Sequence, residues 1–246
     1  MKHYLYDDTF EGLLTAVFYA YPCKEEVILA RKSHYIPTLF SEPISIATEE
    51  DKFDRVYASI LTKLSSSTLR HIYHLYLSEL PAVDTLIYDY LKLCYTYSDK
   101  INLAKNNEVI IKVDTYCRKV TLEAHRFKGF VRFKEVSPDI FYSKIEPDYH
   151  ILPLIMDHFN NRFSDQYFII HDLKRQIAIV HTLDDIFLKD LTLADARKIE
   201  MGACEDQFEE LFRSFYEDTI LKNRKNPKQQ SAYMTKRYWK NLVELS

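Results

Sequence analysis

Two short blocks carry the residues best suited to chemistry, "EPDYHILPLIMDHFNNRF" (146–163) and "IIHDLKR" (169–175). They hold His150, His158, His171 and Asp172, a set able to exchange protons near neutral pH. Arg162 follows His158 by one helical turn. In a helix, Ile151, Leu154, Ile155 and Phe159 form a buried stripe, and His158 and Arg162 fall along one flank of it. Two readings fit that placement. One is a boundary histidine beside an arginine whose stem covers apolar surface while its head reaches water. The other is a polar cleft facing phosphate or a base. Asp172 and Arg175 likewise read either as a salt bridge across a turn, or as an aspartate orienting a histidine with an arginine gripping phosphate. The histidine spacing is neither that of H-E-x-x-H nor that of a Cys/His finger, so no metal is expected.

Cations form two further groups. "EAHRFKGFVRF" (123–133) holds His125, Arg126, Lys128 and Arg132. The first three suit the negative end of a helix, and Arg132 alternates with Phe133 and Val131 as in a strand that displays charge on one face. The stretch from Lys222 to Lys240 has seven cations and no acid, with Tyr233, Tyr238 and Trp239 interleaved. Cations neutralise phosphates and aromatic faces stack unpaired bases. Arg224, Lys225, Lys236, Arg237, Tyr238 and Trp239 are the candidate contacts there. The alternative is a solvated charge run with Trp239 docked on the core.

Composition bounds these readings. The 246 residues are 47% hydrophobic and carry a net charge of −3. No whole-molecule field draws nucleic acid, so such affinity requires a local patch. The three glycines, Gly12, Gly129 and Gly202, stand far apart. Phosphate-cradling loops need several close together, which argues against Rossmann and P-loop sites and leaves no cofactor implied. Four scattered cysteines read as free thiols. No apolar run is long enough to span a membrane and no leader segment opens the chain, so a cytoplasmic protein without membrane contact is expected.

The elements that must position these residues follow from periodicity. "KHYLY" reads as a strand and "FEGLLTAVFYAYP" as a helix with cap chemistry in Asp7, Asp8 and Thr9. "EVILARK" reads as a strand, and a strand then a helix follow, with Thr48 as the expected cap. Two more helices flank Pro81, and 98–107 reads as a loop. A long helix over 108–128 is expected to end at Gly129 in a left-handed cap. "FVRFKEV" and "DIFYSKIE" read as strands, the block at 146–163 as a helix, "YFIIHDLKRQIAIVHT" as a hairpin, and 193–221 as helix in two pieces. The fold expected is α+β, predominantly helical, with short antiparallel strands and a β-hairpin, and not Rossmann or P-loop. It forms a single unit over 1–246, with a helical-rich lobe (1–97) and a lobe with hairpins and the basic tail (108–246).

Five blocks together resemble a known bacterial family: "YDDTFEGLLTAVFYAY", "EAHRFKGFVRF", "IEPDYHILPLIMDHFNNRF", "FIIHDLKRQIAIV" and "NRKNPKQQSAYMTKRYWKNL". Its members are described as DNA metabolism or DNA repair proteins of unknown biochemical function. Some are fused to a uracil-DNA glycosylase domain, and others are associated with a radical-SAM protein of DNA modification or repair. The resemblance runs almost end to end but supplies no catalytic residues. Asp8 stands where the family's turn has Gly or Ser, which counts against a positive φ there, and Thr235 stands where many members have Pro.

The resemblance implies a DNA repair or modification accessory protein that works with a radical-SAM partner, and the cations and aromatics of the tail point to binding of single-stranded or opened DNA. Arg126, Arg132, Arg162 and Arg175 are its candidate phosphate contacts outside the tail. The alternatives are a DNA-acting enzyme using the His/Asp/Arg pocket and a protein-interaction module without DNA contact.

Overall fold

A computed structural model describes residues 2–37 and 43–200. The chain divides into two compact units, the first running to Val120 and the second starting at Thr121. No described helix is long and apolar enough to cross a membrane.

The first unit is built on a three-stranded sheet. Its strands are β1 (Lys2–Tyr6), β2 (Val27–Arg31) and β3 (Pro43–Ser45), in the order β2-β1-β3. Both neighbours run parallel to β1. This overturns the expectation of short antiparallel strands. The α+β mixture stands, but its first sheet is parallel throughout, and helix α1 (Phe10–Ala20) supplies the crossover from β1 to β2. Parallel pairing requires such a crossover and leaves no mark in local periodicity.

Three side chains set the start of α1. Thr9 caps it, its Oγ1 accepting the Gly12 N–H at 2.8 Å. Asp7 accepts hydrogen bonds from the hydroxyls of Thr9 and Thr48, each at 2.7 Å. Thr48 was expected to cap α2 (Glu50–Lys63). Instead Glu49 occupies that position without a side-chain cap bond, because the Thr48 hydroxyl is spent on Asp7. A Cβ at Gly12 would lie 2.1 Å from Asp7 Oδ1, so any side chain there would displace the Asp7 carboxylate from this place. Asp8 adopts φ 67° after all. Aspartate tolerates the left-handed region better than most residues, and the Tyr76 hydroxyl holds its carbonyl at 2.7 Å.

Helices α3 (Ser66–Ser78) and α4 (Val83–Tyr97) complete the unit with the first part of α5 (Glu108–Phe130). Between α4 and α5 lies a 3-10 turn, Asp99–Leu103, where a loop was expected. Arg31, at the end of β2, is buried at 5% exposure. Its Nε donates to the Tyr6 hydroxyl at 3.2 Å and lies 3.6 Å from Asp84 Oδ1. Its Nη2 donates to the Tyr76 carbonyl at 2.6 Å, and the guanidinium lies 4.4 Å over the Tyr76 ring. Tyr6 donates in turn to Asp84 at 2.8 Å.

The second unit carries a five-stranded mixed sheet in the order β4-β5-β6-β7-β8. Its strands are β4 (Lys134–Ser137), β5 (Ile140–Ile145), β6 (Tyr167–Asp172), β7 (Ile177–His181) and β8 (Ile186–Asp190). The hairpin β6–β7 is present as expected. However, β5 and β6 are parallel, a second departure from an antiparallel scheme, and α6 (Leu152–Arg162) forms their crossover. β8 was not anticipated. Ile140, Tyr142, Ile169, Ala178 and Val180 of the sheet pack with Leu191 and with Ile199 of α7 (Leu193–Glu200). Residues from 201 on, with the expected second helical piece and the basic tail, lie outside the described residues.

Two local expectations fail around Gly129. The helix α5 continues through it to Phe130, so Gly129 is a helical residue and not a left-handed cap. Arg132 is not in a strand, since β4 begins at Lys134. It folds back to cap the helix, its Nη1 donating to the carbonyls of Gly129 at 2.6 Å and Val131 at 3.0 Å.

The contact at Gly12 yields a prediction. Gly12→Ala should cost about 1–3 kcal/mol in chemical denaturation, the usual scale of an overpacked site. Combining it with Asp7→Ala should recover more than about 0.5 kcal/mol relative to the sum of the two single changes. Strict additivity would show that Asp7 does not oppose the added methyl.

Candidate nucleic-acid interface

His171 and Asp172 stand at the end of β6, both fully buried. His171 Nε2 lies 2.9 Å from the Leu191 carbonyl, which can only accept, so that nitrogen carries the proton. Nδ1 lies 2.8 Å from the Tyr142 hydroxyl. The ring bridges β5, β6 and the segment after β8. Asp172 accepts the backbone N–H groups of Lys174 at 3.0 Å and Arg175 at 3.2 Å, and Arg175 Nη1 at 2.9 Å. This is an aspartate stapling its own turn. Four residues, 173–176, connect the strands, so Arg175 lies in the turn and meets Asp172 three residues back rather than across a ladder. Its guanidinium also donates to the carbonyls of Pro147 at 3.1 Å and Asp148 at 2.9 Å. Lys174 Nζ donates to the same Asp148 carbonyl at 3.0 Å. Together these bonds fasten the hairpin to the segment that launches α6. His150 is buried in that segment, just before α6.

His158 and Arg162 occupy a different setting on α6. His158 is half-buried, with its ring edge-on to Phe159 at 5.0 Å. Its pKa lies below the usual imidazole value, first because burial penalises the charged ring, then because Lys128 and Arg162 repel it. The Lys128 carbonyl opposes these effects. Lys128 belongs to the last turn of α5, so the end of α5 and the flank of α6 meet here with like charges facing one another. Asp157 is the acidic neighbour: burial raises its pKa and Lys128 holds that rise back. Arg162 is exposed, its guanidinium 5.5 Å from the Phe163 ring. Phe163 belongs to an aromatic group with Phe133, Phe159 and Phe168, whose ring centroids lie 5.3–6.3 Å apart. Arg126 and Arg132 are exposed as well.

The expected site residues therefore separate into two sets by environment. His171, Asp172 and Arg175 are engaged in bonds internal to the second unit. Lys128 and Arg162 meet at His158, while Arg126 and Arg132 are exposed elsewhere in the same unit. The remaining expected contacts, Arg224, Lys225, Lys236, Arg237, Tyr238 and Trp239, lie outside the described residues. Among the described residues no group of three or more His, Cys, Asp or Glu is arranged to hold a metal ion.

Sequence reasoning missed one constellation, the array at the carboxyl end of the parallel sheet. β1 sits between neighbours reached by successive connections, a place where open parallel sheets form crevices. Asp7, Asp8, Thr9 and Thr48 gather there. The cap chemistry of "DDT" was legible; its place beside a parallel sheet was not. The described polar groups of this array are bonded chiefly to one another.

No curated protein and no solved structure matches the chain. One family model does, a domain of unknown function designated DUF4130, over residues 81–244. That span includes α4, α5, the whole second unit and the cationic surface at Lys128, His158 and Arg162. The protein belongs to the DUF4130 family.

Proposed function

We propose that this protein binds single-stranded or locally opened DNA, as a cytoplasmic accessory protein in DNA repair or modification that works with a radical-SAM partner. One observation carries the binding reading: Lys128 and Arg162 converge on His158 and add to the depression of its pKa that burial begins, with exposed Arg126 and Arg132 in the same unit. Like charges held together in a fold are costly unless an anion offsets them. A phosphate would do so, and the −3 chain would still hold it, because the effect is local. The repair context and the partner rest on the sequence resemblance alone. An acid–base enzyme finds less support. Both nitrogens of His171 and the carboxylate of Asp172 are already occupied by neighbouring protein groups.

Binding should be strongly salt-dependent. For a labelled oligothymidylate, log K should fall linearly with log salt, with a slope of about −0.7 for each phosphate neutralised. Arg162→Ala and Lys128→Ala should each weaken binding for all sequences alike and flatten that slope. Undiminished binding and an unchanged slope in the double variant would remove the cationic surface from the interface.

His158 gives a second, independent readout. Its folded pKa is depressed, so the unfolded chain takes up its proton first as pH falls. Stability contributed by the neutral ring is therefore present above the usual imidazole pKa, and is lost as pH falls from there to the depressed folded value. Arg162→Met should raise the His158 pKa in an NMR titration and narrow that window. A bound phosphate should raise it too, since a nearby anion favours the charged ring. An imidazole titration unmoved by saturating oligonucleotide would place the ligand elsewhere.

A further inference from the structure

Gly129 is the anomaly that the fold does not explain. It lies within α5, outside the left-handed region, so its backbone does not use the freedom that glycine offers. Among the described residues an added Cβ would meet nothing within 4 Å, so their packing does not require glycine either. Gly12 is the contrast, because there a Cβ would strike Asp7. Elsewhere the chain does without glycine even where the backbone favours it: Ala82 has φ 58°, Glu79 φ 51° and Ser98 φ 56°. Glycine is the poorest helix former after proline. Among the described residues, then, nothing is gained from a bare Cα at 129, and helix propensity is lost by it.

The surroundings indicate what the bare Cα serves. Phe130, the next residue, is 65% exposed although it is large and apolar. Arg126 is exposed one turn earlier, and Leu122 is exposed one turn before that. The negative end of a helix amounts to about half an elementary charge. Arg132 already answers it by donating to the Gly129 and Val131 carbonyls. Arg126 and Lys128 are therefore surplus to the helix. Asp157 partly offsets Lys128, and no described bond or ion pair gives Arg126 an acidic partner.

From this geometry we infer that Gly129 is a contact glycine. A single-stranded nucleic-acid backbone lies against the bare surface of α5 there, with Arg126 beside its phosphates and Phe130 under an adjacent base. Glycine permits backbone-to-ligand approach that any side chain would block. Base–aromatic stacking tolerates any sequence because every base has a π-face. The inference rests on the nucleic-acid reading above and names the point where the strand crosses the protein.

The test uses the full chain and a labelled oligothymidylate of about 15 nucleotides, within the span of known single-strand sites, at low salt. Gly129→Ala should leave the melting temperature unchanged or raise it while weakening binding severalfold. Gly129→Leu should weaken binding further without unfolding the protein. Phe130→Ala should lose about tenfold through stacking. This pairing of steady stability with weaker binding is what a purely structural glycine would not produce. A fall in melting temperature for Gly129→Ala would overturn the inference by showing that the fold itself needs glycine. Wild-type affinity in Gly129→Leu would overturn it too. If Arg162→Ala still weakened binding in that case, the nucleic-acid reading would survive without the contact glycine. A wild-type protein that binds no oligothymidylate at low salt would overturn both.

Discussion

A buried guanidinium governs the first unit. Moving an unpaired charge out of water costs several kcal/mol even after relaxation, so Arg31 can be buried only if its donors are met. Meeting them fixes four elements at once. Tyr6 comes from β1, Arg31 from β2, the Tyr76 carbonyl from α3 and Asp84 from α4. The consequences travel outward. Tyr76, clamped by Arg31 through its carbonyl and its ring, presents its hydroxyl to the Asp8 carbonyl. That bond supports a non-glycine residue at φ 67°, a conformation that costs of order 1–3 kcal/mol on its own. Asp8 turns the chain so that Thr9 caps α1, and Asp7 then draws in Thr48 from the strand β3 side. One ionic requirement thus propagates into the start of the crossover helix that makes the sheet parallel.

The second unit uses the same device on a different scaffold. Asp172 and Arg175 are a buried carboxylate and a largely buried guanidinium whose remaining donors reach main-chain carbonyls. Their work is to fasten the β6–β7 turn to residues 147–148, and so to fix where α6 begins. Glu123 of α5 grips the same segment through the N–H groups of Asp148 and Tyr149, at 2.8 and 2.9 Å. With both ends of the approach to α6 tied down, the flank bearing His158 and Arg162 is held against the last turn of α5. The polar residues that looked most catalytic are in this sense positioning groups. They hold a charged surface that they do not belong to.

What was legible in the sequence were features written in local periodicity and capping. β1, α1, β2, α3, α4 and α6 fall close to their expected limits, and so does the β6–β7 hairpin. What was not legible depends on partners distant in the chain. Strand direction in the sheets is set by crossovers, not by alternation. Thr48 has the chemistry of a cap but is claimed by Asp7, 41 residues earlier. Asp8 lacks the expected glycine and is held by Tyr76, 68 residues later. Arg132 alternates with apolar neighbours as a strand residue would, yet the unsatisfied carbonyls of α5 claim it first. β8 was hidden because "DIFLKD" is short and bounded by acids. At the site, the helical spacing of His158 and Arg162 placed both on the flank of the apolar stripe. Nothing in the spacing could reveal that Lys128, 30 residues upstream by sequence number, would complete the cluster.

Charge at this surface is better understood by distance than by total. At physiological ionic strength exposed charges are screened beyond about 8 Å. The acids that give the chain its net −3 therefore matter at the cationic surface only where they stand within that range. Asp157 does, and its effect is limited because burial already disfavours its charged form. Glu123 is spent on two backbone N–H groups. Asp172 is spent on its own turn and on Arg175. Glu123 and Asp172 are thus committed to holding the fold, while Arg126 and Arg162 remain exposed at its surface. With these two carboxylates turned inward to backbone N–H groups, the exposed arginines of the second unit are left facing solvent.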